Sequence, residues 1–190
     1  CLNYVASATP ADLLAAARAW ERWCAPPRRK APRQDKIGDR ALRVGFVSGD
    51  FKRHAVGYFV TGALEHVDRE RIEVHCFSTA TTSDALTETI RGFAFRWHDI
   101  STTSDDHAFD LVRNVGIDLL VDMSGYTAGS RLPLFALKPA PVQAAWIGYF
   151  GSTGLSTIDW FIADGRLIPD GAERWFSEKV IRLPKSEEHT

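Results

Sequence analysis

From Leu42 onward, short apolar runs alternate with amphipathic stretches, and few folds accommodate that rhythm. Ile117-Asp118-Leu119-Leu120-Val121-Asp122 is the clearest run, with Leu42–Val47 and Ile72–Phe77 close behind. These segments are apolar almost throughout instead of alternating polar and apolar, as strands buried on both faces do. Helical spacing separates them. Val56, Phe59, Val60 and Leu64 recur between His54 and Val67, Ser83-Asp84 opens a helix to about Phe93, and Ser104-Asp105-Asp106 caps one that ends at Gly116. Further strands are expected at residues 95–100, 142–146, 158–162 and 179–182, with a short helix at 132–137. Alternation of this kind predicts an α/β fold, a Rossmann-like parallel sheet with helices on both faces.

The first 41 residues read differently. Thr9-Pro10-Ala11-Asp12 starts a helix that runs to about Trp23, so residues 1–24 form a helical lead-in. Ala25-Pro26-Pro27 cannot continue it, and residues 25–41 read as a basic, proline-containing linker before a lobe over 42–190. Nine basic residues between Arg18 and Arg43 face only Glu21, Asp35 and Asp39. A solvated linker explains them better than a nucleic-acid arm, because no aromatic residue interleaves with the charges from Ala25 to Ala41. The net charge of −1 supplies no field for nucleic acid or an anionic membrane. No apolar run approaches the ~20 residues of a bilayer span. Cys1, Cys24 and Cys76 are too few and too scattered for a disulfide framework or zinc site, which favours a reducing, cytoplasmic setting. The six tryptophans are scattered and read as core and interface residues.

Ligands of open α/β sheets bind beyond the carboxyl ends of the strands. Three such loops carry candidate chemistry. Ser48–His54 lacks a dinucleotide or phosphate-loop pattern but offers Asp50 and His54, a carboxylate and an imidazole able to hold a hydroxyl or relay a proton. On spacing alone, a loop cap and a helix-start histidine explain the pair better. Asp122–Arg131 is rich in small and hydroxyl residues, among them Tyr126 and Thr127, and is equally an ordinary strand-to-helix turn with Asp122 as its cap. Gly148–Gly154 holds three glycines in seven residues, which suits backbone amides bound to a sugar or diphosphate as well as it suits a tight turn. His66, His75, His98 and His107 show no helical metal-site spacing and read as surface or core residues.

Four blocks in order, LRVGFVSGDFKRH, DLLVDMSGYTAGSR, LFALKPAPVQAAWIGYFGSTG and SEKVIRLP, resemble the protein O-GlcNAc transferase family, which also includes SPINDLY-like protein fucosyltransferases. The resemblance runs from Leu42 to Pro184. It implies the N-terminal lobe of a two-lobed GT-B glycosyltransferase and metal-independent, inverting transfer of N-acetylglucosamine from UDP-GlcNAc to Ser or Thr of an acceptor protein or peptide. No cofactor is implied. The nucleotide sugar would be held mainly by a C-terminal lobe after Pro184, so this chain is expected to supply the acceptor side of the cleft and to be inactive alone. Helical tetratricopeptide repeats, common upstream in bacterial relatives, are not present in the sequence. The resemblance assigns His54 and Asp50 to the catalytic block, Ala55 and Val56 to sugar contacts, and Ile147 and Gly148 to a backbone stretch lining the site. Phe150 stands where the family usually has proline, and the lead-in helix has no histidine near Ala17. These departures leave a protein O-fucosyltransferase lobe and a non-catalytic protein-binding module as alternatives.

Overall fold

The computed structural model describes residues 7–23, 25–27, 29–30 and 38–184. The expectations for residues 1–6, Cys24 and much of the linker, 31–37, lie outside the described residues. Seven strands form one all-parallel sheet: β1 Leu42–Ser48, β2 Ile72–Ser78, β3 Arg96–Asp99, β4 Leu119–Asp122, β5 Val142–Trp146, β6 Trp160–Asp164 and β7 Lys179–Leu183. Their spatial order is β3-β2-β1-β4-β5-β6-β7. The chain first winds outward to β3 and then returns to the other side of β1, which sets a topological switch point between β1 and β4.

The helices are α1 Pro10–Trp23, α2 Ala55–Glu65, α3 Ala85–Phe93, α4 Asp105–Val115 and α5 Leu132–Ala136. Local chemistry fixes their ends. Asp84 and Thr87 make a reciprocal capping box at α3, the Ser104 hydroxyl accepts from His107 N at α4, and Gly116 leaves α4 at φ +73°. Thr9 and Asp12 bond reciprocally at the start of α1. α2 and α3 cover one face of the sheet through Val56, Val60, Leu64 and Ile90, packed on Val44, Val74, Cys76 and Val121. α4 and α5 cover the other with Ala108, Phe109, Val112 and Phe135 against Val47, Phe77, Leu120 and Phe161, and Trp20 of α1 packs against that core.

The expected strand at 158–162 begins two residues later, at Trp160. Ile158 is instead drawn into the core at 2% exposure, while the Asp159 carboxylate ties down Gln143 N and Lys138 Nζ ahead of the ladder. A short 3-10 turn at Ala172–Trp175, absent from the sequence reading, joins β6 to β7. Of two side-chain expectations, the core role fails for Trp23 and holds for His75. Trp23 is 83% exposed and is no core residue. His75 is buried, with Nδ1 3.2 Å from His98 Nε2, so these two histidines form a pair between β2 and β3.

Candidate active site at the strand ends

The three loops singled out from the sequence all leave carboxyl ends of strands, after β1, β4 and β5. They also touch one another. A Cβ on Gly49 would stand 3.3 Å from Gly129 Cα, and the Thr79 hydroxyl at the end of β2 donates to Gly129 O at 2.9 Å. A Cβ on Gly148 would lie 1.7 Å from Met123 O, so the β5 loop runs against the β4 loop at a distance only glycine permits. Ile147 packs against the core cluster that contains Phe51 and Val56. The loops therefore form one continuous rim at the switch point.

Phe51 organises the first loop. It is fully buried and its ring lies 5.5 Å from that of Trp97. Deleting a phenylalanine so placed costs about 3–5 kcal/mol, so Asp50 and His54 hang from a firm anchor. His54 is the N-cap of α2, and its Nδ1 accepts from Val56 N at 3.3 Å. The same nitrogen lies 3.6 Å from Asp50 Oδ2, and the imidazole is about half exposed while the carboxylate is 17% exposed. An imidazole whose Nδ1 accepts carries its proton on Nε2 and can donate from there. Turning Nδ1–H toward Asp50 would free the Nε2 lone pair to accept a proton. Sequence reading placed a carboxylate and an imidazole here; the structure adds that a cap and a carboxylate compete for one nitrogen.

Ala55 is exposed at the helix start. Val56 turns inward at 5% exposure into the core beneath α2, leaving its side chain little surface for the sugar contact that the resemblance implies. Gly148 N donates to Trp146 O at 2.8 Å with Ile147 at φ +64°. This is a γ-turn of the strained, positive-φ kind, adopted by a β-branched residue. Such a conformation costs about 1–3 kcal/mol and persists only where its surroundings dictate it. Here the β5 ladder holds one side and the Met123 backbone the other.

In the β4 loop, Asp122 is buried and accepts from Ser124 N at 3.2 Å and Gly125 N at 2.8 Å, the capping role read from the sequence. Burial pushes its carboxyl up to about 6, with the charge of Glu178 adding to the effect. Tyr126 donates its hydroxyl to Thr153 O at 2.7 Å, and burial raises its pKa. Thr127 is exposed, with its hydroxyl on Ser124 O at 2.7 Å. Both residues belong to the rim, but each hydroxyl already closes a loop.

Two rim supports escaped the sequence reading. Glu178, just before β7, is 5% exposed and its carboxylate collects the Ser152 hydroxyl at 2.7 Å, Thr153 N at 2.8 Å and the Thr153 hydroxyl. Lys138 is 3% exposed, with Nζ on Thr157 O at 2.7 Å and Asp159 Oδ2 at 2.6 Å. Behind them, α1 docks on the rim: a Cβ on Gly154 would lie 2.6 Å from Ala17 Cβ, and Glu21 accepts from Ser156 N and Oγ, both at 2.6 Å. Among the described residues no group of three or more His, Cys, Asp or Glu is placed to hold a metal ion, and no helix is long and apolar enough to cross a membrane.

The model for glycosyl transferase family 41 matches residues 25–187. The chain is similar to a probable UDP-N-acetylglucosamine–peptide N-acetylglucosaminyltransferase SPINDLY of Solanum lycopersicum, 34% identical over 191 residues, 97% of this chain and 20% of that protein. It is also similar to the corresponding SEC protein of Arabidopsis thaliana, 32% identical over 148 residues, 77% of this chain and 15% of that one. Among solved structures it superimposes on a mutant O-GlcNAc transferase of Thermobaculum terrenum with TM-score 0.88 and 37% identity, over 97% of this chain and 36% of that chain. The chain thus spans about a fifth of the length of the SPINDLY relative it matches.

Proposed function

Because the chain belongs to glycosyl transferase family 41, we propose that it is the acceptor-side lobe of a transferase that moves N-acetylglucosamine from UDP-GlcNAc to serine or threonine hydroxyls of proteins. The observation that carries this reading is the half-exposed His54 imidazole at the start of α2, with Asp50 3.6 Å away, on the same strand-end rim as the Ile147–Gly148 turn. A transfer with inversion forms the bond from the acceptor oxygen to the sugar C1 as the bond from C1 to the UDP oxygen breaks. The hydroxyl proton must leave during that step, to a protein base or to the departing diphosphate. In the capped tautomer, His54 donates from Nε2 and can orient the hydroxyl or support the leaving oxygen. In the tautomer paired with Asp50, the Nε2 lone pair can take the proton. Asp50 is in this account the group that selects between them.

The strained Ile147 turn and Gly148 place backbone against the reacting groups, and Ala55 leaves the helix start open to the sugar. Tyr126 and Thr127 shape the rim. Most of the nucleotide contact falls to a second lobe, so these 190 residues alone should turn over no donor. The proposal includes a cytoplasmic setting, to which the buried thiol of Cys76, pushed up to about 12 by burial, is suited. The test is the full-length protein incubated with a Ser/Thr peptide and either UDP-GlcNAc or GDP-fucose, read by peptide mass. A HexNAc increment supports the reading. A deoxyhexose increment with GDP-fucose alone replaces the donor, and no increment with either removes the transferase.

A further inference from the structure

The rim carries a row of rings that the proposed chemistry does not use. Trp20 of α1 meets Tyr126 edge-on at 6.0 Å between centroids, Tyr126 meets Tyr149 at 5.6 Å, and Tyr149 meets Phe150 at 5.0 Å. The row ends in solvent, since Phe150 is 55% exposed. A single exposed phenylalanine is ordinary, but this one is held in place. Tyr149 is clamped between two glycines: a Cβ on Gly125, itself at φ +51°, would come within 2.4 Å of Tyr149 Cβ, and one on Gly151 within 3.2 Å of Tyr149 Cε1. Phe150 leans on that fixed ring three residues beyond the strained Ile147.

We propose that Phe150, backed by Tyr149, is a specificity-determining ledge that receives an apolar side chain of the acceptor polypeptide next to the hydroxyl being modified. This inference rests on the transferase reading above. Two observations favour a peptide side chain over a sugar face. The loop from Gly148 to Gly154 carries no charge. The Ser152 and Thr153 hydroxyls of this loop are already spent on Glu178, and the neighbouring Tyr126 hydroxyl on Thr153 O. Sugar recognition needs polar partners for the ring hydroxyls beside the stacking face, whereas an apolar side chain needs only carbon surface. Because the rings are already packed, little ordering entropy opposes binding.

The test uses the full-length protein and serine peptides that differ only within three positions of the serine. At one of those positions Phe, Leu or Val should exceed Gly or Asp by about threefold to tenfold in kcat/KM, the range one aromatic contact provides. Phe150→Ala should collapse that ratio toward one, and Phe150→Trp should keep it. A ratio unchanged in Phe150→Ala overturns the ledge. Binding of the same peptides with the serine replaced by alanine, read by fluorescence anisotropy, gives a second ratio that needs no turnover. Phe150-dependent binding by a protein that transfers no sugar upholds the ledge and overturns the transferase. Transfer with no Phe150 dependence in either ratio overturns the ledge alone.

Discussion

Replacing Glu178 should unlock the β5 loop at a cost set by its hydrogen bonds. The carboxylate accepts from the Ser152 hydroxyl at 2.7 Å, Thr153 N at 2.8 Å, the Thr153 hydroxyl, and the Ser177 hydroxyl at 3.2 Å, with the residue only 5% exposed. Each bond to a charged acceptor contributes about 1.5–3 kcal/mol, and the contributions within one network do not add. Glu178→Ala strands a buried amide and takes the acceptor from three hydroxyls, and water entering the space restores part of the loss. The expected destabilisation is about 3–4 kcal/mol. Glu178→Gln keeps the shape and one acceptor. Its amide nitrogen then faces the Ser152 oxygen, which already accepts from Gly154 N at 3.0 Å and Ser177 N at 3.1 Å. The Ser152 and Ser177 hydroxyls lose the oxygen they share, and the Ser152 hydroxyl can turn to Ser177 Oγ at 3.0 Å, so the net loss is close to one bond, about 1–2 kcal/mol. Urea unfolding at neutral pH with an unchanged m-value reads both numbers. An alanine variant within about 1 kcal/mol of wild type, or a glutamine variant as costly as alanine, would refute the argument.

Gly148→Ala tests the contact between the β4 and β5 loops. Its Cβ would lie 1.7 Å from a backbone oxygen that cannot swing aside, so the loss should reach about 3 kcal/mol by thermal or urea unfolding, and a near-neutral result would separate the loops. The His75–His98 pair predicts pH dependence away from the rim. Burial lowers both pKa values, His98 to about 4 with His75 adding to the shift. The unfolded chain therefore binds these protons first, and the pair's share of stability, complete above about pH 6.5, is lost as pH falls toward 4. For partly buried His98 that share is about 1–2 kcal/mol after solvent screening. Asp122 acts in the opposite sense between the ordinary carboxyl value of 3.8 and about 6, equally in both proteins, so the difference between wild type and His98→Gln isolates the histidine. Parallel pH profiles would count against the pair.

The legible parts of the fold are those written in short-range pattern. Apolar runs gave the strands, and Asp84, Ser104 and Gly116 marked helix ends because capping is local chemistry. Strand-end loops pointed to Asp50, His54 and the glycine-rich turn because binding at strand ends follows from parallel topology. What escaped depends on register and crossover. Glu178 sits beside Lys179 in a polar run that reads as solvated, yet β7's place next to β6 buries it against Ser152. His75 meets His98 only because β2 and β3 pair with Phe77 opposite His98. Val56 follows directly on the rim residues, but the helical turn after the His54 cap rotates its side chain into the core. Lys138, at φ +61°, is a charged residue whose burial no local pattern announces.

The central claim is that His54 stands at the reacting end of a sugar-transfer cleft. Its most direct test is kcat/KM for transfer from UDP-GlcNAc to a serine peptide by the full-length protein and its His54→Ala variant, with melting temperatures measured alongside. The expected result is a fall of about 10²–10⁴-fold, the range of a positioned acid–base group, with a melting temperature shifted only by the loss of one helix cap. A variant that transfers at the wild-type rate would contradict it.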